Sequence, residues 1–311
     1  MPTLRDFPFA AVAAWMRQGG IVPFLGAGAS RVGKDLCDPL PSGQELASEL
    51  IAQMGGQYMG GDDERLAKVA QIYESTVLDR AALHEYLHRR LAPRPRAAPF
   101  PSVHSLLADL PQSDKSLIMV TTNYDSEVER AFQKSGKTLH VATQHLRNEE
   151  HGVTRISVRP PDGESGYKPA HEFLVQPEDT AYLYKMHGSA HWEIDDDRFD
   201  VIITEDDYTD MLGLIGGGSA YVPPPALTAE LKKRRFLFLG YSLEDWTLRV
   251  LMRLLQNRNA LKSTGRLRHF AIQLKPSPLE EALWAQRNVT VFDGDLEDFC
   301  TQLRAELRGV N

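Results

Sequence analysis

Short, almost purely apolar runs recur along this chain, at residues 21–25, 117–121, 181–186, 201–204, 236–239, 270–274 and 289–292. A strand with one wetted face alternates apolar and polar residues. A run without that alternation is buried on both faces, as in a parallel sheet covered by helices on either side. Stretches of helical spacing lie between several of the runs, among them 243–256 and 279–287, and strands alternating with helices build α/β folds. The reading is a doubly wound, parallel, Rossmann-like sheet. Residues 7–16 read as a first helix. From Ser42 to Leu91 the pattern becomes helical, with Leu46, Leu50 and Ile51 on one stripe and Leu83, Tyr86, Leu87 and Leu91 on another. Pro93, Pro95 and Pro99 then break the chain. The expected division is a core of residues 1–32 and 116–311 with a mostly helical insertion at 33–115. Residues 143–180 and 213–225, rich in Pro, Gly and charge, are expected to be loop.

The formal net charge is −7, from 35 Lys and Arg against 42 Asp and Glu, which argues against direct nucleic-acid binding. The two cysteines, Cys37 and Cys300, supply neither a four-cysteine zinc site nor a disulfide framework. That usage fits a reducing, cytoplasmic compartment. No apolar run is long enough to span a bilayer, so no membrane association is expected.

Four motifs follow expected strands, and ligands of open parallel sheets bind beyond the carboxyl ends of the strands. Gly26-Ala-Gly-Ala-Ser30 follows the run at 21–25. Two close glycines let backbone N–H groups approach a phosphate, although Arg31 stands where a full dinucleotide fingerprint has its third glycine. A plain strand-to-helix turn accounts for the same residues. Thr121-Thr-Asn-Tyr-Asp125 follows the run at 117–121. It puts Thr122, a neutral amide at Asn123 and a carboxylate at Asp125 at the mouth of the sheet. The plain alternative is a helix start in which Ser126 and Glu129 form a capping box. Lys185-Met-His-Gly-Ser189 offers His187 as base or hydrogen-bond partner, with His191 four residues on. Gly240-Tyr-Ser-Leu-Glu-Asp245 pairs a permissive glycine with Ser242, which can cap a helix or contact a ligand.

Together these motifs resemble the sirtuin family, in its order and over most of the chain, with the helical insertion where sirtuins carry their small domain. The resemblance implies that Gly26, Ala27, Gly28, Ser30, Thr122, Gly240 and Ser242 bind NAD+. It implies that Asn123 positions water or the ribose, that Asp125 holds the nicotinamide carboxamide, and that His187 binds ribose hydroxyls or acts as base. A free imidazole, with pKa ~6.5, suits that role at neutral pH. Two departures stand out. The four-cysteine zinc module is missing, and Asp38-Pro-Leu-Pro-Ser42 replaces the family's Asp-Phe-Arg segment. The chain thus looks more like the bacterial sirtuin-like NAD hydrolases of anti-phage defence than like protein deacylases. That likeness implies NAD+ as substrate, no metal, a homo-oligomer, and control by a HerA-type ATPase or an Argonaute-type partner.

Other readings compete. A sensor that binds NAD or ADP-ribose without cleaving it would need the same loops, and a zinc-free deacylase is a third possibility. His84-Glu-Tyr-Leu-His88 matches the H-E-x-x-H pattern of zinc proteases. Arg89, Arg90, Arg94 and Arg96 crowd it with positive charge, and no third ligand stands out. Asp195, Asp196, Asp197 and Asp200 read as solvated surface acids rather than a cation site.

Overall fold

The computed structural model describes residues 2–36, 38–58, 60–61, 64–77, 79–95, 98–110, 115–150, 153–160, 164–176, 181–191, 200–217, 222–241, 246–255 and 267–309. Within them the chain opens with α1 (Phe9–Arg17) and β1 (Ile21–Leu25), followed by α2 (Gly43–Met54), α3 (Leu66–Val77), α4 (Arg80–Arg90) and α5 (Ser102–Ala108). Next come β2 (Leu117–Thr121), α6 (Glu127–Ser135), β3 (His140–Glu150), β4 (Val153–Arg159), β5 (Gly166–Pro169) and β6 (Ala181–Lys185). The remainder is α7 (Glu205–Gly217), α8 (Pro225–Leu231), β7 (Arg235–Leu239), α9 (Trp246–Leu255), β8 (His269–Gln273), α10 (Pro278–Ala285), β9 (Val289–Asp293) and α11 (Leu296–Arg308).

All the described strands join one sheet in the order β5-β4-β3-β6-β2-β1-β7-β8-β9. From β3 to β9 every pairing is parallel, while β4 and β5 extend the sheet antiparallel. β1 and β6 are buried at every position, which explains why neither alternates apolar and charged residues. Alternate residues feed two cores. Val22, Phe24, Ile118, Val120, Phe236 and Phe238 pack on the face covered by α7, α8, α9 and Trp284 of α10. Ile21, Leu25, Met119, Leu237 and Leu239 pack on the face covered by α1, α5, α6 and α11. The sheet is therefore doubly wound, as expected. Its direction reverses between β1, whose successor β2 lies on one side, and β7 on the other, so a crevice opens at their carboxyl ends.

A third core lies outside the sheet. Leu46, Leu50, Val69, Tyr73, Leu83 and Leu87 from α2, α3 and α4 close on one another and on Ala190, Val201 and Ile203. The stretch 33–115 thus divides, because α5 contributes Val103, Leu106 and Leu107 to the sheet layer instead.

Three local expectations are corrected. Residues 143–180, expected as loop, contain most of β3 and all of β4 and β5. Residues 201–204 form no ladder; Val201 and Ile203 are apolar because they complete the helical core. Residues 213–225 include the end of α7 and the start of α8. No helix among the described residues is long and apolar enough to cross a membrane.

Candidate active site

The loops after β1, β2 and β6 converge on a pocket of about 140 Å³. Ala27, Ser30, Thr122, Asn123, Asp125 and His187 line its polar side, and Leu40, Pro41, Leu46, Leu66 and Leu91 supply an apolar wall, with Tyr124 and Tyr208 between. The helical module thereby completes a site whose polar half belongs to the sheet.

A hydrogen-bonded chain runs through the polar half. The Asn123 amide nitrogen donates to the Gly26 carbonyl at 3.0 Å and to Ser30 Oγ at 3.2 Å. Ser30 Oγ in turn donates to Asp125 Oδ2 at 2.9 Å. Both Asn123 amide protons are therefore committed inside the protein, which leaves Oδ1 as the side-chain atom that can accept a hydrogen bond. Thr121 sets the loop by donating to the Leu25 carbonyl at 2.8 Å while accepting the Asn123 N–H at 3.0 Å. Thr122 Oγ1 donates to the Tyr241 hydroxyl at 3.3 Å.

Asp125 also caps a helix. Its Oδ1 accepts the Glu127 N–H at 2.9 Å, whereas Ser126 makes no side-chain cap. The capping box of the plain alternative does not form: Ser126 makes no side-chain cap bond, and the Glu129 carboxylate pairs with Lys185.

His187 is buried, and its ring meets the Tyr208 ring edge-on at 5.3 Å between centroids. Its carbonyl accepts the Ile202 N–H at 3.1 Å. The loop continues through Gly188, whose φ is +81°. A Cβ at that position would stand 2.6 Å from the Asp200 carbonyl oxygen, so strain and overlap together restrict it to glycine. The Ala190 N–H donates to the Tyr124 carbonyl, and the Met186 N–H to the Thr121 carbonyl, each at 2.9 Å. The loops after β2 and β6 are thus fastened to each other.

The glycines have a packing role of their own. The Gly26 and Gly28 amides donate to the Leu239 and Gly240 carbonyls at 3.0 and 2.9 Å. A Cβ on Gly28 would stand 2.9 Å from the Gly240 Cα, and one on Gly240 2.1 Å from the Ala29 nitrogen. These three residues let the loops after β1 and β7 interlock at the point where the sheet reverses. Ser242 lies outside the described residues.

His84 and His88 of the H-E-x-x-H stretch do not converge with a third ligand: among the described residues no group of three His, Cys, Asp or Glu could hold a metal. His88 Nδ1 donates to the Ala190 carbonyl at 2.9 Å, and its ring lies 4.9 Å from that of His191. His191 Nε2 donates to the Leu91 carbonyl at 2.8 Å, and burial holds its pKa below the usual imidazole value. His191 is thus paired with His88 rather than with His187. Of the acidic group at 195–200 only Asp200 is described. It accepts the Leu146 N–H at 2.9 Å and lies 3.2 Å from His145 Nδ1, an anchor for β3 rather than a solvated acid. The sequence reading missed Leu40, Leu91 and Tyr208, which come from elements distant in sequence, and Lys185, a lone charge inside an apolar run.

Residues 117–292, more than half of the 311-residue chain, match the SIR2-like domain. The chain belongs to the SIR2-like family. That assignment fits the doubly wound sheet and the loops gathered at its carboxyl edge, and it brings an NAD-related function, since SIR2-like domains use NAD+. A search of curated proteins finds no match.

Proposed function

We propose that this SIR2-like protein is an NAD+ glycohydrolase, cleaving the nicotinamide–ribose bond to give nicotinamide and ADP-ribose. The observation that carries the reading is the meeting of Asn123, His187 and the Ser30–Asp125 pair at one pocket with an apolar opposite wall. In this reaction the bond from the ribose anomeric carbon to the pyridinium nitrogen breaks, and its electron pair leaves with nicotinamide, now neutral. Water adds to the oxocarbenium-like carbon and gives up a proton. Asn123 Oδ1 orients the water or a ribose hydroxyl without introducing a competing charge. His187 holds the ribose hydroxyls or takes the proton. Asp125, fixed by Ser30 and Glu127 N–H, retains further lone pairs for the carboxamide. Leu40, Leu46, Leu66 and Leu91 suit the face of the nicotinamide ring and exclude water from it.

The proposal extends to a homo-oligomeric effector of bacterial anti-phage defence held in check by a partner, of HerA-type ATPase or Argonaute kind. Unrestrained consumption of an essential metabolite would be toxic, which supports such control. The direct experiment follows nicotinamide release from NAD+ by the purified protein, alone and with cell lysate. Release supports the hydrolase. Saturable NAD+ binding without release under either condition favours a sensor instead, and NAD+-dependent loss of acyl groups from lysine peptides would favour a deacylase.

A further inference from the structure

Lys185 ends β6 two residues before His187, within the run Ala181-Tyr-Leu-Tyr-Lys-Met186. It is 1% exposed. Its ammonium donates to the main-chain carbonyl of Asp125 at 2.6 Å and pairs with Glu129 Oε1 at 3.0 Å. Taking an ammonium out of water is costly, and an apolar residue would fill the end of a buried strand without that cost. The ion pair with Glu129 offsets the charge. It does not require the second contact, which falls on the backbone of the residue whose carboxylate receives Ser30 and starts α6.

The consequence is geometric. Main-chain bonds already fasten Met186 to Thr121 and Ala190 to Tyr124, at the two ends of the paired loops. Lys185 adds a side-chain tie, reaching from the end of β6, just before the loop that carries His187, to the β2 loop that carries Asn123 and Asp125. Glu129 lies on α6, so the same ammonium also fixes that helix beneath the loop. Glu129 Oε2 is buried and meets no donor among the described residues, so the carboxylate depends chiefly on Lys185, with Arg159 farther away at 3.9 Å.

We propose that Lys185 is a positioning residue of the pocket, setting the spacing between the Asp125 loop and His187 through its bond to the Asp125 carbonyl. The proposal rests on the NAD+ glycohydrolase reading for its kinetic consequence, though not for its structural one. The test compares Lys185→Met with the double variant Lys185→Met/Glu129→Gln. The single variant strands a buried carboxylate and is expected to melt well below wild type. The double variant removes both charges together and is expected to recover most of that loss. Its turnover number for nicotinamide release should nonetheless fall by about a hundredfold, the scale of a 1 Å misplacement, with KM changed by less than about threefold. A double variant with wild-type turnover would overturn the proposal, since Lys185 would then only neutralise Glu129. The ring resonance of His187, assigned by its loss in His187→Asn, gives a readout without catalysis. It should move in the double variant, and an unmoved resonance overturns the proposal. If wild type releases no nicotinamide, the glycohydrolase reading fails by itself and the resonance still decides the role of Lys185.

Discussion

Gly240 shows how closely the loops after β1 and β7 are fitted. It combines a φ of +71° with contact against the backbone of Gly28 and Ala29, so any side chain there meets both strain and overlap. Gly240→Ala should cost about 2 kcal/mol or more in urea unfolding, and Gly28→Val should impair folding rather than selectively weaken ligand binding. Phosphate contact alone would have left the unliganded protein unaffected. His269 carries a different kind of constraint. Its Nδ1 accepts the Phe236 N–H at 3.0 Å, and burial, with a smaller contribution from Arg235, lowers its pKa to about 4. The folded state therefore binds fewer protons than the unfolded chain, whose imidazole titrates near ~6.5. This group's stabilisation is complete above that pH, is lost as pH falls from about 6.5 to about 4, and amounts to about 3 kcal/mol. Buried His104 and His191, also lowered, act in the same direction. Urea midpoints should drop between pH 7 and pH 4.5, and less steeply in His269→Gln; equal slopes would remove His269 from the explanation.

Helix α6 locks the return from the helical module to the sheet. Glu127 is fully buried and pairs with Arg94 and Arg130, each at 2.7 Å. Burial raises its pKa, but the two guanidinium groups outweigh that and leave it below the usual carboxylate value. Arg130 also donates to the carbonyls of Pro95, Ala98 and Pro99, and lies 3.9 Å over the Phe100 ring. Glu127→Ala would leave two largely buried guanidinium groups without their shared anion. A loss of about 3–5 kcal/mol is expected in urea unfolding; a change under about 1 kcal/mol would show the cluster to be dispensable. Elements of this kind differ in how legible they are. The central strands could be read because burial on both faces leaves their middle positions apolar or aromatic, with Thr121, Lys185 and Arg235 confined to strand ends. β5 could not, since its alternating exposure leaves Gly166, Tyr167, Lys168 and Pro169 with the look of a loop. Residues 201–204 were misread for the opposite reason: Val201 and Ile203 serve a core outside the sheet, and Ile202 packs on the sheet without joining its ladder. At the site, Asn123, Asp125 and His187 could be found because each follows a legible strand. The apolar wall could not, because Leu40, Leu66 and Leu91 reach the pocket only through the packing of the module.

Across the whole molecule, the pocket exists because two bodies of chain meet. The sheet brings polar loops from its carboxyl edge, and the module lays its leucines across them. Arg80 joins the two from α4, donating to the Val201 carbonyl at 2.7 Å and pairing with Asp207 of α7 at 3.0 Å. Arg31 does so from the β1 loop, donating to the Leu40 carbonyl while pairing with Glu45 of α2. On the proposed reading, Asn123 and His187 act at the reacting bond while other contacts hold the remainder of the dinucleotide, so binding and chemistry should separate. The most direct measurement compares NAD+ binding by calorimetry with nicotinamide release in wild type, Asn123→Ala and His187→Ala, alone and with cell lysate. Wild type is expected to release nicotinamide, and each variant to do so about a hundredfold more slowly while binding NAD+ within about tenfold of wild type. Near wild-type release by Asn123→Ala, or a wild type that binds NAD+ and never cleaves it, would contradict the proposed activity.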